Sequence, residues 1–168
     1  MSNERAVVQR HQFADYLNTG TPTTPDWKLM GVGFTSLNES PGAQTNSKKY
    51  VNEKTSTSSV TSYETQFPFE SDLIPEQDAV LALYNVGRNH LTGSDAEFEY
   101  VRVELWDQVT ESGTAVENTY KARKFVVSAE ISDISGEDDQ VVSGNLNAVG
   151  DPVDGQFNTS TKTFTAST

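Results

Sequence analysis

Apolar and polar side chains alternate with period two along much of this chain, and breaks in that alternation mark its other elements. Residues 27–34 (WKLMGVGF) are short, densely apolar and bounded upstream by Pro25, which predicts a first strand. Residues 48–51 and 60–69 read as the two sides of a long hairpin. In the second side Tyr63, Thr65, Phe67 and Phe69 share one face, and Val60, Ser62, Glu64 and Gln66 share the other. Pro68 removes one ladder donor, which places it near a strand end or a sheet edge. Residues 97–107 (EFEYVRVELWD) predict a strong strand whose alternation changes at Tyr100-Val101; either both faces are partly buried or a bulge resets the register. Residues 120–132 and 140–149, turned at 135–139, form a second long hairpin. Phe125, Val127, Ala129, Ile131, Val142, Leu146 and Ala148 make its inner face, and Ser128, Glu130, Ser132, Ser143, Asn145 and Asn147 its outer one. Residues 151–165 read as a closing hairpin carrying Phe157 and Phe164.

One segment has helical rather than strand periodicity. In residues 75–90, Ala79, Val80, Leu83, Tyr84 and Gly87 recur at spacings of three and four. Pro75 suits the first turn, and Asp72, Glu76 and Asp78 favour its positive end. Residues 35–47 predict a long polar loop centred on Pro41-Gly42, and 108–118 another around Ser112-Gly113. Residues 1–26 scatter Val7, Val8, Phe13, Tyr16 and Leu17 among polar side chains. They read as an extended arm in need of a surface to lie on, with a helix over 5–17 as the alternative.

Length and composition fit one folded domain: 168 residues, 35% hydrophobic, with 8 Phe, 6 Tyr and 2 Trp that a disordered chain would lack. Formal net charge is −12, unevenly spread: residues 1–60 carry six basic and five acidic side chains, residues 61–168 six and nineteen. So acidic a domain repels phosphate and disfavours nucleic-acid binding through counterion release. There is no cysteine, hence no disulfide or thiolate chemistry. The opening MSNERAVVQRHQF has no apolar core for a signal peptide, and no run approaches the ~18 apolar residues of a membrane span.

Candidate chemistry is sparse. His11 and His90 have no partner at zinc-ligand spacing. Glu137-Asp138-Asp139 follows Gly136 but has no downstream bidentate Glu, and reads as a solvated turn rather than a calcium loop. Glu97 and Glu99 share a strand face at a solvated edge, without the closed pocket that splits carboxylate pKa values. Gly31-Val32-Gly33 is too short to cradle phosphate, and no Gly-x-Ser-x-Gly elbow occurs. The expectation is a chain that is not an enzyme and takes no cofactor or metal.

Taken in order, four stretches resemble the tail tube (major tail) proteins of tailed bacteriophages, especially those infecting Gram-positive bacteria. They are the arm with WKLMGVGF, then SKKYVNEKTSTSSVTSYETQFPFE, then PEQDAVLALYNVGRNHL with FEYVRVELW, and finally VVSGNLNAVGDPVDGQFNTSTKTFT. The resemblance implies a mainly β fold, a β-sandwich or barrel-like domain over residues 27–168, with one flanking α-helix and two long hairpins. It implies hexameric rings stacked into a virion tube, made in the host cytoplasm, that carries DNA without binding it specifically. Tail terminator, tape measure and distal tail proteins are the implied partners. Hairpins 48–67 and 122–149 are then expected to line the lumen through Ser62, Glu64, Gln66, Ser128, Glu130, Asn145 and Asn147. The arm and loop 35–47 are expected to bridge rings through Arg5, Arg10, Phe13, Tyr16, Asn38, Glu39 and Pro41. The alternatives are a tube protein of a contractile tail or phage-like particle, and a carbohydrate-binding or adhesive β-sandwich. The last is disfavoured because Trp27 and Trp106 read as core.

Overall fold

The computed structural model describes residues 6–167. The chain runs through β1 (Phe13–Asn18), β2 (Trp27–Leu29), β3 (Phe34–Leu37), β4 (Ala43–Lys48), β5 (Thr57–Tyr63) and β6 (Gln66–Asp72). Helix α1 (Asp78–Arg88) follows, then β7 (Glu97–Glu111), β8 (Thr114–Ser135), β9 (Val141–Ala148), β10 (Val153–Asn158) and β11 (Thr163–Ala166). Nine strands make one antiparallel sheet in the order β2-β1-β7-β8-β9-β6-β3, with β10 added to β8 and β11 to β10. The sheet curls into a half-barrel, so the fold is mainly β with one α-helix among the described residues, as expected. Strands β4 and β5 form a separate two-stranded sheet.

The 22-residue β8 is the spine. One edge pairs with β7; the other pairs first with β10, from Thr119 to Lys124, and then with β9, from Val127 to Ser135. The segment predicted as a loop over 108–118 is instead the tip of the β7–β8 ribbon. Ser112 (φ 51°) and Gly113 (φ 80°) both adopt positive φ, which is what a two-residue hairpin turn matching strand twist requires.

The change of alternation at Tyr100-Val101 resolves in favour of two buried faces. The β7–β8 ladder is regular from Glu97 to Glu104, and Tyr100, Val101, Arg102 and Val103 are all buried. Inside the half-barrel, Leu17, Phe67, Tyr100, Phe125, Val127 and Leu146 pack with Ala79, Leu83 and Val86 of α1. The Phe67 ring lies 4.8 Å from those of Tyr100 and Phe125. On the other face Tyr16, Trp27, Val101, Val103 and Ala122 pack under Phe157 of the β10–β11 hairpin. One sheet thus separates two cores, and β7 contributes to both.

Four sequence expectations are corrected. Residues 13–18, assigned to the arm, form an inner strand paired with β7 and β2, with Tyr16 and Leu17 buried. Buried Asp15 and Asn18 hide its alternation. Asn18 Oδ1 accepts hydrogen bonds from the Gly20 and Asp26 N–H groups, both at 2.9 Å, and so organises the turn to β2. Residues 27–34 split into β2 and the start of β3, separated by a turn with Gly33 at φ 96°. The hairpin predicted between 48–51 and 60–69 also divides: β4, predicted as loop, pairs with β5, while β6 pairs with β3 and β9. The two sheets part at Glu64, whose N–H donates to the Gly42 carbonyl at 3.0 Å. Tyr63 is therefore exposed and Phe67 fully buried, although they share parity. Pro68, expected near a strand end or sheet edge, instead lies inside β6 between β9 and β3; it pairs with Asn145 and its carbonyl accepts from Asn38 N–H, while the missing donor falls between the Leu37–Phe69 pair and the Ser40–Gln66 bridge.

Helix α1 is shorter than the predicted 75–90, and buries Ala79, Val80, Leu83 and Val86. Gly144 of β9 lies so close to β8 that a Cβ there would sit 1.9 Å from the Glu130 carbonyl oxygen. Two outcomes follow for stability in urea. Phe67→Ala should cost about 3–5 kcal/mol through the cavity it opens beside the Tyr100 and Phe125 rings. Gly144→Ala should cost about 1–3 kcal/mol by forcing β8 and β9 apart. A loss below ~0.5 kcal/mol in either variant would contradict the packing described.

Candidate functional site

The half-barrel leaves one polar outer face, built by register. In the β8–β9 ladder Ser128 pairs with Asn147 and Glu130 with Asn145; in the β6–β9 ladder Gln66 pairs with Asn147. Because period-two alternation sends Phe67, Val127, Ala129 and Leu146 inward, these five polar side chains share the opposite face. Glu97, opposite Ser128 in the β7–β8 ladder, extends the face. Asn147 Nδ2 donates to Glu130 Oε2 at 3.0 Å, which holds that carboxylate flat on the sheet. Hydroxyl, amide and carboxylate groups arranged this way keep a water layer and present no cation to an anion.

Of the seven residues predicted for a wet surface, the sheet unites Gln66, Ser128, Glu130, Asn145 and Asn147. Ser62 and Glu64 lie apart, Ser62 on the exposed β5 and Glu64 at the root of the β4–β5 hairpin.

The residues predicted to bridge rings fare differently. Arg5 lies outside the described residues. Asn38 and Pro41 are exposed. Tyr16 is buried, its ring 4.5 Å from that of Phe157, and so packs within its own chain. Phe13 is half-buried between Trp106 and the Arg102 guanidinium, 4.9 Å from its ring centre. Arg10 and Glu39 are engaged in a charge cluster that sequence reasoning missed.

In that cluster Asp15, 2% exposed, receives Arg10 at 2.6 Å, Arg102 at 3.4 Å and the Tyr100 hydroxyl. Glu39 takes both terminal nitrogens of Arg123, at 2.6 and 3.0 Å, and faces Arg102 Nε at 3.6 Å. Three guanidinium groups and two carboxylates thus alternate across β1, β7, β8 and the β3–β4 connection, at the polar end of the inner core. The signal was present in Asp15 within FADYL and Arg102 within YVRVEL: charges at apolar positions of strands. Beside the cluster, where β1 and β3 do not meet, runs an open groove of about 870 Å³ lined by Arg10, Phe13, Asp15, Met30, Phe34 and Leu37. Trp106, read as core, is 46% exposed; the ladder shifts register after Glu104 and turns the indole outward, edge-on to Phe13. Among the described residues no group of three or more His, Asp or Glu side chains is placed to hold a metal.

What the geometry defines is a curled, mainly β scaffold with a polar, acidic outer surface. No family model matches the chain, and no curated protein matches it. Among solved structures, it is similar to a chain of the anti-feeding prophage (AFP) baseplate, determined by cryo-EM with six-fold symmetrisation. The two share 10% identity, over 90% of this chain and 95% of that one, at a TM-score of 0.47.

Burial holds the Tyr100 phenol well above its ordinary pKa of 10.0, and the Asp15 carboxylate acts in the same direction. A raised folded-state pKa means that above pH ~10 the folded chain keeps a proton that the unfolded chain loses. Stability should therefore fall as pH rises from about 10. In urea unfolding between pH 8 and 11, Tyr100→Phe should start lower in stability but decline less steeply. Parallel declines for the two proteins would refute the assignment.

Proposed function

We propose that this chain is a non-enzymatic structural protein of a phage-tail-like particle, in which copies associate as rings and stack into a tube with the outer face of β6, β8 and β9 toward the bore. The observation that carries this reading is the convergence of Gln66, Ser128, Glu130, Asn145 and Asn147 on one continuous sheet face, opposite the face that carries Phe67, Val127, Ala129 and Leu146. Such a face stays hydrated and repels a passing polyanion over a screening length of roughly 8 Å at physiological salt. The order of segments along the chain, which resembles the tail tube family, supports the same reading. The outer edges of β3 and β11, beyond which the sheet does not continue among the described residues, supply unpaired strand edges that ring closure would cover.

Negative-stain electron microscopy of the purified protein over rising concentration, alone and with other virion components, should show annuli or filaments; isolated particles under every condition would overturn the proposal. Glu130→Lys, which places a cation on the face without touching either core, should leave such assemblies intact but slow DNA release from particles that carry it. Unchanged release kinetics would remove this face from the bore.

A further inference from the structure

The β4–β5 hairpin is the part of the molecule that the fold itself does not use. Every residue of both strands is exposed, and the pair forms its own two-stranded sheet. A ribbon of this kind is marginal in water without a surface to lie on. Its side chains are mostly Ser and Thr on both faces, so neither face is an apolar half waiting for the chain's own core. Apolar groups are few and outward: Tyr50 (61% exposed) and Val51 at the tip, Val60 and Tyr63 along β5.

Its charge is opposite to that of the rest. Residues 43–63 carry Lys48, Lys49 and Lys54 against Glu53 alone, net +2, in a chain of net −12. Residues 125–161 contain no Lys, Arg or His and seven carboxylates, four of them (Asp133, Glu137, Asp138, Asp139) on or around the β8–β9 turn, all exposed. These two regions lie at opposite ends of one ladder. The hairpin leaves the body beside Gln66, where Ser40 bridges to Gln66 and Gly42 to Glu64. The β8–β9 turn lies beside Asp72, which pairs with Val141, while Leu73 N–H donates to Gln140 O at 2.9 Å. The six residue steps of β6 between them span about 20 Å. The hairpin root and the acidic β8–β9 turn of one chain therefore lie at opposite ends of β6.

We infer that the β4–β5 hairpin docks its lysine-bearing tip onto the acidic β8–β9 turn of a second copy of this chain, giving a head-to-tail contact. A patch and its complement at opposite ends of one molecule form a heterologous interface, which propagates into closed rings or open filaments rather than stopping at a two-fold dimer. The exposed Tyr50 and Val51 supply apolar contact beside the ion pairs, the usual composition of a productive interface. Glu39, clamped by Arg123 two residues before the hairpin root at Pro41, anchors the point where the ribbon leaves the body. An anchored root reduces the ordering cost of association. This inference rests on the self-association proposed above and adds the surfaces and the polarity of the contact.

The test is a charge swap, read by sedimentation velocity and electron microscopy on the full chain. Lys48→Glu with Lys49→Glu and Lys54→Glu should raise the concentration needed for association by about tenfold or more. Glu137→Lys with Asp138→Lys and Asp139→Lys should do the same. Combining all six substitutions in one chain, or mixing the two triple variants, should restore assembly. Raised salt should weaken the wild-type contact. Circular dichroism should show both triple variants folded; where either is not, the neutral variants with Gln at the three lysines and Asn or Gln at the three acids take its place, with association weakened as the expected result. Wild-type annuli or filaments that persist unchanged in both triple variants would overturn this docking and leave the conduit reading standing. Absence of any wild-type assembly would overturn both. Heparin binding that is lost in the lysine variant while self-association persists would assign the tip to a polyanion instead and likewise overturn the docking.

Discussion

The fold depends on how it accommodates Arg102, a guanidinium buried in the middle of β7. Between Asp15 and Glu39 it has a carboxylate on either side, and Phe13 covers its face at 4.9 Å. Each partner arrives from a different part of the chain: Asp15 on β1, Glu39 on the β3–β4 connection, Arg123 on β8. Removing one member of a buried ionic cluster leaves an uncompensated charge, at a cost of about 3–5 kcal/mol. The cluster is therefore better understood as a specificity device than as net stabilisation. It admits one register of β1 against β7, because shifting β1 by one residue would bury Tyr16 beside Arg102 and expose Asp15 to the second core. It also fixes the place where the chain leaves the half-barrel for the β4–β5 hairpin, and so couples the inner core to the most exposed element of the molecule.

Where the sheet has a core on one side and water on the other, the alternation of residue types reported its structure faithfully. Strand β9 and β8 from Tyr120 onward were legible down to the facing of Ser128, Glu130, Asn145 and Asn147, as was the closing β10–β11 hairpin. Helix α1 was legible because its stripe meets Ile131 and the inner core. The sequence was silent where that one-sided environment fails, in three distinct ways. Strand β1 faces two cores and a charge cluster, so Asp15 and Asn18 occupy buried positions and the segment reads as a polar arm. Strands β4 and β5 face water on both sides, so nothing selects apolar residues at either parity. Between them and β6 the chain crosses from one sheet to another at Glu64-Thr65 without changing parity, and the alternation of 60–69 appeared continuous across the break.

The charge cluster was hidden for a related reason. A lone Arg within a strand pattern is read as a solvent-facing residue, since isolated buried charges are costly. Its burial becomes legible only when Asp15 and Glu39, 87 and 63 positions away in the chain, are known to converge on it. The polar outer face, by contrast, needed only local alternation and one correct pairing. Its two missing members, Ser62 and Glu64, were misplaced by the same break that split the predicted hairpin.

The proposed self-association raises the question of how a β protein with open edges avoids indiscriminate aggregation. Open strand edges and an exposed two-stranded ribbon invite pairing with any other edge. Here the ribbon is net positive and the remainder of the chain net negative, so under the proposed docking the body of one copy would repel the body of another at long range and attract its hairpin. Long-range repulsion between like faces suppresses wrong contacts, and complementary ends select orientation. Ser and Thr on both ribbon faces remove the hydrophobic gain that would reward face-to-face stacking of hairpins. A chain of net charge −12 in which one projecting element carries three of the twelve cations and is itself net positive would, under the proposed docking, be biased toward polar, head-to-tail order. The Arg102 cluster, through Glu39, anchors the point at which that element leaves the body, and so would be the fixed end of such a contact.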